Sequence, residues 1–334
     1  MPLEALDYPI TPVGLHYLLT HYDIPSVGAA AWRLEVGGLV ERPLEVTLDD
    51  LRKRPVVELA VTMECAGNGR ALLSPRPMSQ PWLHGAVGTA LWRGVLLAGL
   101  LEEAGVLDGA VEVVFTGLDR GTEGGVVQDY ERSLRVEEAL SSGAILAYEM
   151  NGQPLPPQHG FPLRLVVPGW YGMTSVKWLT RITLQAELFS GYQQAHYYRL
   201  RREEDEEGTP LTRILPRALL VPPGRPEFPS RRRELTHGPH LLHGRAWSGW
   251  APIAAVEVSA DGGLMWGEAR IERDLDSRFA WCAWRYEWDA EAGEHELLCR
   301  ASDEAGNVQP LEPVWNLGGY ANNAVQRVPV TVTP

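Results

Sequence analysis

The stretch from Arg201 to about residue 230 constrains this chain most, because the character of the sequence changes there. RREEDEEG (201–208) is nearly all charge, and residues 208–230 are rich in proline. One stretch is charged and solvated and the other proline-rich, and together they read as a linker crossing the surface. With 334 residues the chain also exceeds the length at which one hydrophobic core usually stops growing. Two domains are therefore expected, residues 1–205 and residues 206–334.

The two sides differ in pattern. Before the linker the chain mixes α and β. Thr47, followed three residues on by Asp50 in LEVTLDDL, signals a helix start after a strand. VVELAVTM (56–63) is β-branched and apolar enough for a buried strand, and it runs into CAGNGR. Leu91 to Ala104 carries apolar residues at helical spacing, with Gly105 as its C-cap. VEVVFTG and AILAYEM read as strands, the second closed by the turn pair Asn151-Gly152. Pro154, Pro156, Pro157, Pro162 and Pro168 then hold the backbone in a rigid irregular path of the kind used around a large ligand. Beyond residue 240 only short alternating segments remain, among them HLLHGRAW, AAVEVSADGG, AWCAWRYEW, HELLCRASD and RVPVTVTP. Turns such as Asp261-Gly262-Gly263 separate them. The expectation is an α+β domain followed by an immunoglobulin-like all-β sandwich.

Charge and composition exclude several classes. Thirty Lys and Arg against forty-three Asp and Glu leave a net charge of −13, which argues against nucleic acid as a partner. No apolar run reaches the roughly 18 residues of a membrane span. MPLEALDYPI shows neither a basic start nor an apolar stretch, which leans towards the cytoplasm, or the periplasm if a signal has been removed. Three cysteines make no disulfide framework, and Cys282 and Cys299 sit in apolar strand-like segments where free buried thiols are expected over a pair. His237, His240 and His243 have no neighbouring cysteine or carboxylate to complete a zinc site.

Cys65 is placed differently, just past a strand in a loop with two glycines, TMECAGNGR (62–70). Its residue type and position allow a structural thiol, a nucleophile whose pKa Arg70 lowers, or a soft-metal ligand. Spacing alone does not separate the three.

ECAGNGR resembles the Cys-Ala-Gly-Asn-x-Arg signature of the sulfite oxidase and eukaryotic nitrate reductase family. The longer AYEMNGQPLPPQHGFPLRLVVPGWYG (147–172), SVKWLTRI (175–182) and the terminal SDEAGNVQP...WNLGGYANNAVQRV (302–328) resemble it too, in the family's order. The resemblance implies a molybdopterin-binding domain, then a sandwich used for dimerisation. It implies Cys65 as the protein's ligand to molybdenum, beside two pterin dithiolene sulfurs. Positions matching the family's pterin-binding residues are His21, Tyr22, Asp119, His159, Arg164 and the triplet Ser175, Val176 and Lys177. Positions matching its substrate site are Arg70, Trp82, Tyr197 and Arg285, with Tyr197 loosely aligned beside Tyr198.

One departure stands out. In LLTHYDIPSV the family's substrate arginine is replaced by His21, which offers one donor and no fixed charge. The implied activity is oxidation of sulfite to sulfate by oxygen-atom transfer. No Cys-x-x-Cys-His haem attachment is present in the chain, so electrons would pass to a separate acceptor such as a cytochrome. The alternatives are reduction of a sulfoxide, nitrate or other oxo substrate at the same centre, and a non-catalytic binding protein on the same fold.

Overall fold

The computed structural model describes all 334 residues, mostly as β-structure with three short α-helices. The N-terminal part is built on two five-stranded sheets. In the first, Leu34–Gly38 runs parallel to Leu179–Gln185, which pairs antiparallel with Glu112–Glu123 and so with Val126–Arg135. In the second, Val56–Glu64 pairs with Val87–Leu96, then Ile145–Met150, whose other edge carries Arg164–Val166. A core that includes Leu34, Phe115, Leu146, Leu165 and Ile182 joins the sheets and takes in the helix Leu97–Ala104.

Local signals govern the short elements. Thr47 accepts a hydrogen bond from the Asp50 N–H and Asp50 accepts one from the Thr47 N–H, a reciprocal box that starts the helix Leu48–Arg52. The helix expected over 91–104 begins only at Leu97, because Val87–Leu96 is a strand. Both faces of that strand are largely buried, so its unbroken apolar run imitates helical spacing.

The C-terminal part is a sandwich of a four-stranded and a six-stranded sheet. Gly238–Trp247 and Cys282–Ala290 form the centre of one, Gly293–Asp303 and Gln326–Thr333 the centre of the other. Trp284, Val256, Leu297 and Val330 fill the space between. Cys282 and Cys299 are both buried and both free.

A third core lies where the two parts meet, with Tyr171, Tyr198, Leu219, Trp247, Trp281 and Tyr320 in contact. Trp281 N–H donates to Thr62 Oγ1 at 2.7 Å, and Ser277 Oγ donates to the Ala60 carbonyl at 2.7 Å. Both contacts fall on the strand that ends at Cys65. No helix is long and apolar enough to cross a membrane.

Candidate active site

The strand Val56–Glu64 delivers Cys65 to a tight loop. Cys65 N–H donates to the Ala86 carbonyl and its own carbonyl accepts from Asn68 N–H, both at 2.9 Å. Gly69 turns the chain at φ +87°, and a Cβ there would lie 2.9 Å from the Asn322 carbonyl oxygen. That combination of conformation and closeness suits only glycine. Cys65 is 6% exposed, and burial pushes its thiol up to about 11.

Two cavities meet at Cys65. The inner one is lined by His16, Asp119, His159, Arg164, Ser175 and Lys177, with Tyr17, Met63 and Tyr130. Gly160, at φ +108°, lets two of these converge, since a Cβ there would meet the Cβ atoms of Arg164 and Lys177 at 3.1 Å. Arg164 donates to the carbonyls of His159 (3.0 Å) and Ser175 (3.1 Å) and lies over the Trp92 ring. Lys177 Nζ donates to the carbonyls of Leu19 and Gln158. No carboxylate comes within 4 Å of either cation.

This inner cavity is a buried pocket lined by cations. Burial lowers Lys177 to about 7 and Arg164 to about 10, and it raises Asp119 to about 7. Burial also holds His16 at about 4 and His159 at about 3, so both rings are neutral. His16 Nε2 and Asp119 Oδ1 are buried without a partner. Buried polar atoms left unpaired in a cavity wall are places for a ligand's donors and acceptors. Uncompensated cations call for an anion. Molybdopterin, a polar heterocycle with a phosphate tail, fits this donor set.

The outer cavity shares Leu19, His21, Cys65 and Tyr198 with the inner one and adds Arg70, Gln80, Trp82, Glu123 and Tyr197. Arg70 is 4% exposed; Nε donates to the Gly318 carbonyl at 2.8 Å and Nη1 to the Gln80 carbonyl at 3.1 Å. Trp82 Nε1 is buried with no partner. Tyr197 ends and Tyr198 caps a single π-helical turn, Gln193–Tyr197, whose Gln193 carbonyl accepts from buried Arg132 at 2.5 Å. Such turns are rare and concentrate at functional sites.

Several sequence expectations are relocated here. Arg285 does not reach the site: it lies on the outward face of Cys282–Ala290, half exposed, 3.6 Å from Glu272. Strand alternation places its neighbours Trp284 and Trp288 inward and sends Arg285 out. The sandwich part instead touches Arg70 and the loop after Cys65 through residues 318–322. Tyr320 lies under the Arg70 guanidinium at 5.0 Å, and Ala321 N–H donates to the Ala66 carbonyl at 2.8 Å. Tyr22 lines the outer cavity and not the inner one. Val176 is fully buried in the core beneath the cavity and lines neither.

His21 lines both cavities, and its Nε2 is 2.6 Å from the Tyr198 hydroxyl. Burial, with Lys177 and Arg132 adding to it, lowers His21 to about 3. It therefore stays neutral across the physiological range and adds no titrating charge. Tyr198, which borders both cavities, stands closer to the junction than the expected Tyr197, which borders only the outer one. His16, Arg132 and Tyr198 carry no local motif, and Tyr320, though inside the terminal signature, is brought to Arg70 only by the fold. The histidines at 237, 240 and 243 gather no metal-binding group, and His243 pairs with Asp7 at 2.8 Å.

Comparison with known proteins agrees with this geometry. Residues 21–193 match the oxidoreductase molybdopterin binding domain and residues 228–333 the Mo-co oxidoreductase dimerisation domain. The chain is 38% identical to sulfite oxidase of Gallus gallus, over 95% of this chain and 72% of that one. It is 36% identical to mitochondrial sulfite oxidase of Mus musculus, over 97% of this chain and 62% of that one, so it spans about three fifths of the mouse protein. A nitrate reductase of Hordeum vulgare is 35% identical over 97% of this chain and 39% of its own length. Among solved structures, the sulfane dehydrogenase SoxCD from Paracoccus pantotrophus superposes with a TM-score of 0.85 at 29% identity, covering 98% of this chain and 82% of that one. This chain belongs to the sulfite oxidase family of molybdopterin oxidoreductases.

Proposed function

We propose that the protein oxidises sulfite to sulfate: sulfite and water give sulfate, two protons and two electrons. The observation that carries this reading is the place of Cys65, on the shared wall between a cationic inner cavity and an outer cavity holding Arg70. The relatives named sulfite oxidase support the choice of sulfur oxyanion.

Arg164, Lys177, Asp119, His16, His159 and Ser175 would hold the pterin, and Cys65 would be the thiolate ligand. Once bound there, the cofactor supplies the two-electron redox chemistry. The chain's residues do the rest. Arg70 has Nη2 left free for an oxyanion, and the unpaired Trp82 N–H is a second donor. Tyr198 and neutral His21 share a proton at the tyrosine hydroxyl beside the reacting position. Leu19, Trp82 and Tyr197 narrow the opening and exclude bulk water. Electrons would leave to a separate acceptor, and two copies would pair through the sandwich part, whose matched family is a dimerisation domain.

The test is elemental analysis for molybdenum together with sulfite-dependent reduction of ferricyanide. About one molybdenum per chain and turnover lost in Cys65→Ser, with the fold kept, are expected, because a hydroxyl replaces the soft thiolate. A metal-loaded Cys65→Ser enzyme of unchanged activity would overturn the assignment.

A further inference from the structure

Two fixed charges face the outer cavity, Arg70 and Glu123, and the chain neutralises neither. Arg70 bonds only to backbone carbonyls, with Nη2 free. Glu123 is half-buried, accepts from Gln193 Nε2 through Oε2, and has no lysine, arginine or histidine within 4 Å. The remaining polar lining is uncharged: His21 is neutral, and Gln80, Ser79, Thr20, Thr122 and the tyrosines carry no charge. Arg132 stands behind Tyr198, its guanidinium 5.6 Å from that ring's centre, and lines neither cavity.

A pocket made only for a small dianion has a use for Arg70 and none for Glu123, since a carboxylate facing the anion repels it. The bond to Gln193 needs no more than an acceptor oxygen, which an uncharged glutamine would supply. Leu19, Trp82 and Tyr197 also give the cavity apolar wall that a bare oxyanion does not use. One unpaired cation, one unpaired carboxylate and a carbon-lined wall together describe a zwitterion.

We propose that the outer cavity takes an aminoalkyl sulfinate, with its sulfinate on Arg70 and the Trp82 N–H and its ammonium on Glu123. This rests on the oxygen-transfer reading above and names the substrate class for the same site. The sulfur lone pair forms a new S–O bond to an oxygen derived from water. The sulfinate R–SO2⁻ and water thus give the sulfonate R–SO3⁻, two protons and two electrons. Two equivalents of a one-electron acceptor such as ferricyanide take up the electrons, the redox chemistry being what the cofactor would supply when bound.

The experiment compares kcat/KM of the molybdenum-loaded enzyme for 2-aminoethanesulfinate, ethanesulfinate and sulfite. Calorimetric binding of the products 2-aminoethanesulfonate and ethanesulfonate gives a second readout that needs no turnover. The amine should raise both kcat/KM and product affinity roughly 10-fold, as a charge-assisted hydrogen bond does. Glu123→Gln should abolish that preference and raise kcat/KM for sulfite severalfold. Turnover of sulfite with no preference for the amine would overturn this proposal and leave the oxygen-transfer reading standing. If no sulfur compound is turned over by metal-loaded enzyme, that reading falls, and the product affinities still decide the role of Glu123. Equal affinity for the two sulfonates overturns it; a preference that Glu123→Gln removes upholds it.

Discussion

Two buried arginines flank the end of the strand Val56–Glu64, and they are held in opposite ways. Met63 and Glu64 point to opposite faces of the strand, as successive residues must. On the Glu64 side, Arg217 is 1% exposed and its charge is matched: Nη1 donates to Glu64 at 2.5 Å and Nη2 to the Asn322 carbonyl, with Nε alone left without a partner. Glu64 also accepts from Trp247 Nε1 at 2.8 Å and Asn68 Nδ2 at 2.9 Å. On the Met63 side, Arg164 is 4% exposed and touches the Met63 sulfur and two carbonyls, with no carboxylate at all. The first charge meets its counter-charge within the chain. The second is left short of an anion, and that shortfall distinguishes a ligand site from a structural clamp.

Removing Glu64 should break the matched side with the largest effect. Glu64→Ala leaves Arg217 buried without its counter-charge, which costs about 3–5 kcal/mol. Denaturant unfolding should show that loss whether or not the cofactor is bound. The double variant Glu64→Ala/Arg217→Met should recover part of it, because the uncompensated cation goes too. Stability unchanged within 1 kcal/mol, about the scale of a surface pair, would mean that the clamp does not join the two parts.

Arg164→Met should act on the other side and read out elsewhere. The change removes a buried cation that lacks a partner ion, and it also frees two carbonyls, so the two effects on stability oppose each other. A net change below about 2 kcal/mol in the cofactor-free chain is expected. Cofactor retention should fall far more, by roughly 10-fold or greater for one lost charge-assisted contact to an anion. Molybdenum content after dialysis measures it. A variant as destabilised as Glu64→Ala, yet fully loaded, would reverse the comparison.

The same contrast explains what the sequence could and could not reveal. The box at Thr47 and Asp50, the strand ending at Cys65 and the turn at Asn151-Gly152 are local, so a few adjacent residues encode them. Cys65, His159, Arg164 and Lys177 fall on recognisable signatures, and the fold does gather them around one cavity. Glu64–Arg217 and Arg70–Gly318 are different, because they join residues 153 and 248 positions apart. No periodicity in either segment announces such a contact. The apolar run at Leu91 misled for the converse reason: a strand buried on both faces has lost the alternation that would identify it.

Arg285 gives the smallest expected effect and the sharpest check on where the sandwich part contributes. Sequence resemblance put it in the anion pocket, whereas the fold leaves its side chain 55% exposed beside Glu272 at 3.6 Å. An exposed pair of this kind is worth about 0–1 kcal/mol, because water screens both charges and ordering two long side chains costs entropy. Arg285→Ala should therefore change stability by less than about 1 kcal/mol and leave kcat and KM for sulfite unaltered. Tyr320→Ala is the matched comparison. It removes the ring under Arg70 and should raise KM, since the guanidinium loses a face worth about 0.5–2 kcal/mol. If Arg285→Ala raised KM and Tyr320→Ala did not, the strand Cys282–Ala290, and not the 318–322 segment, would be the sandwich's contribution to the site.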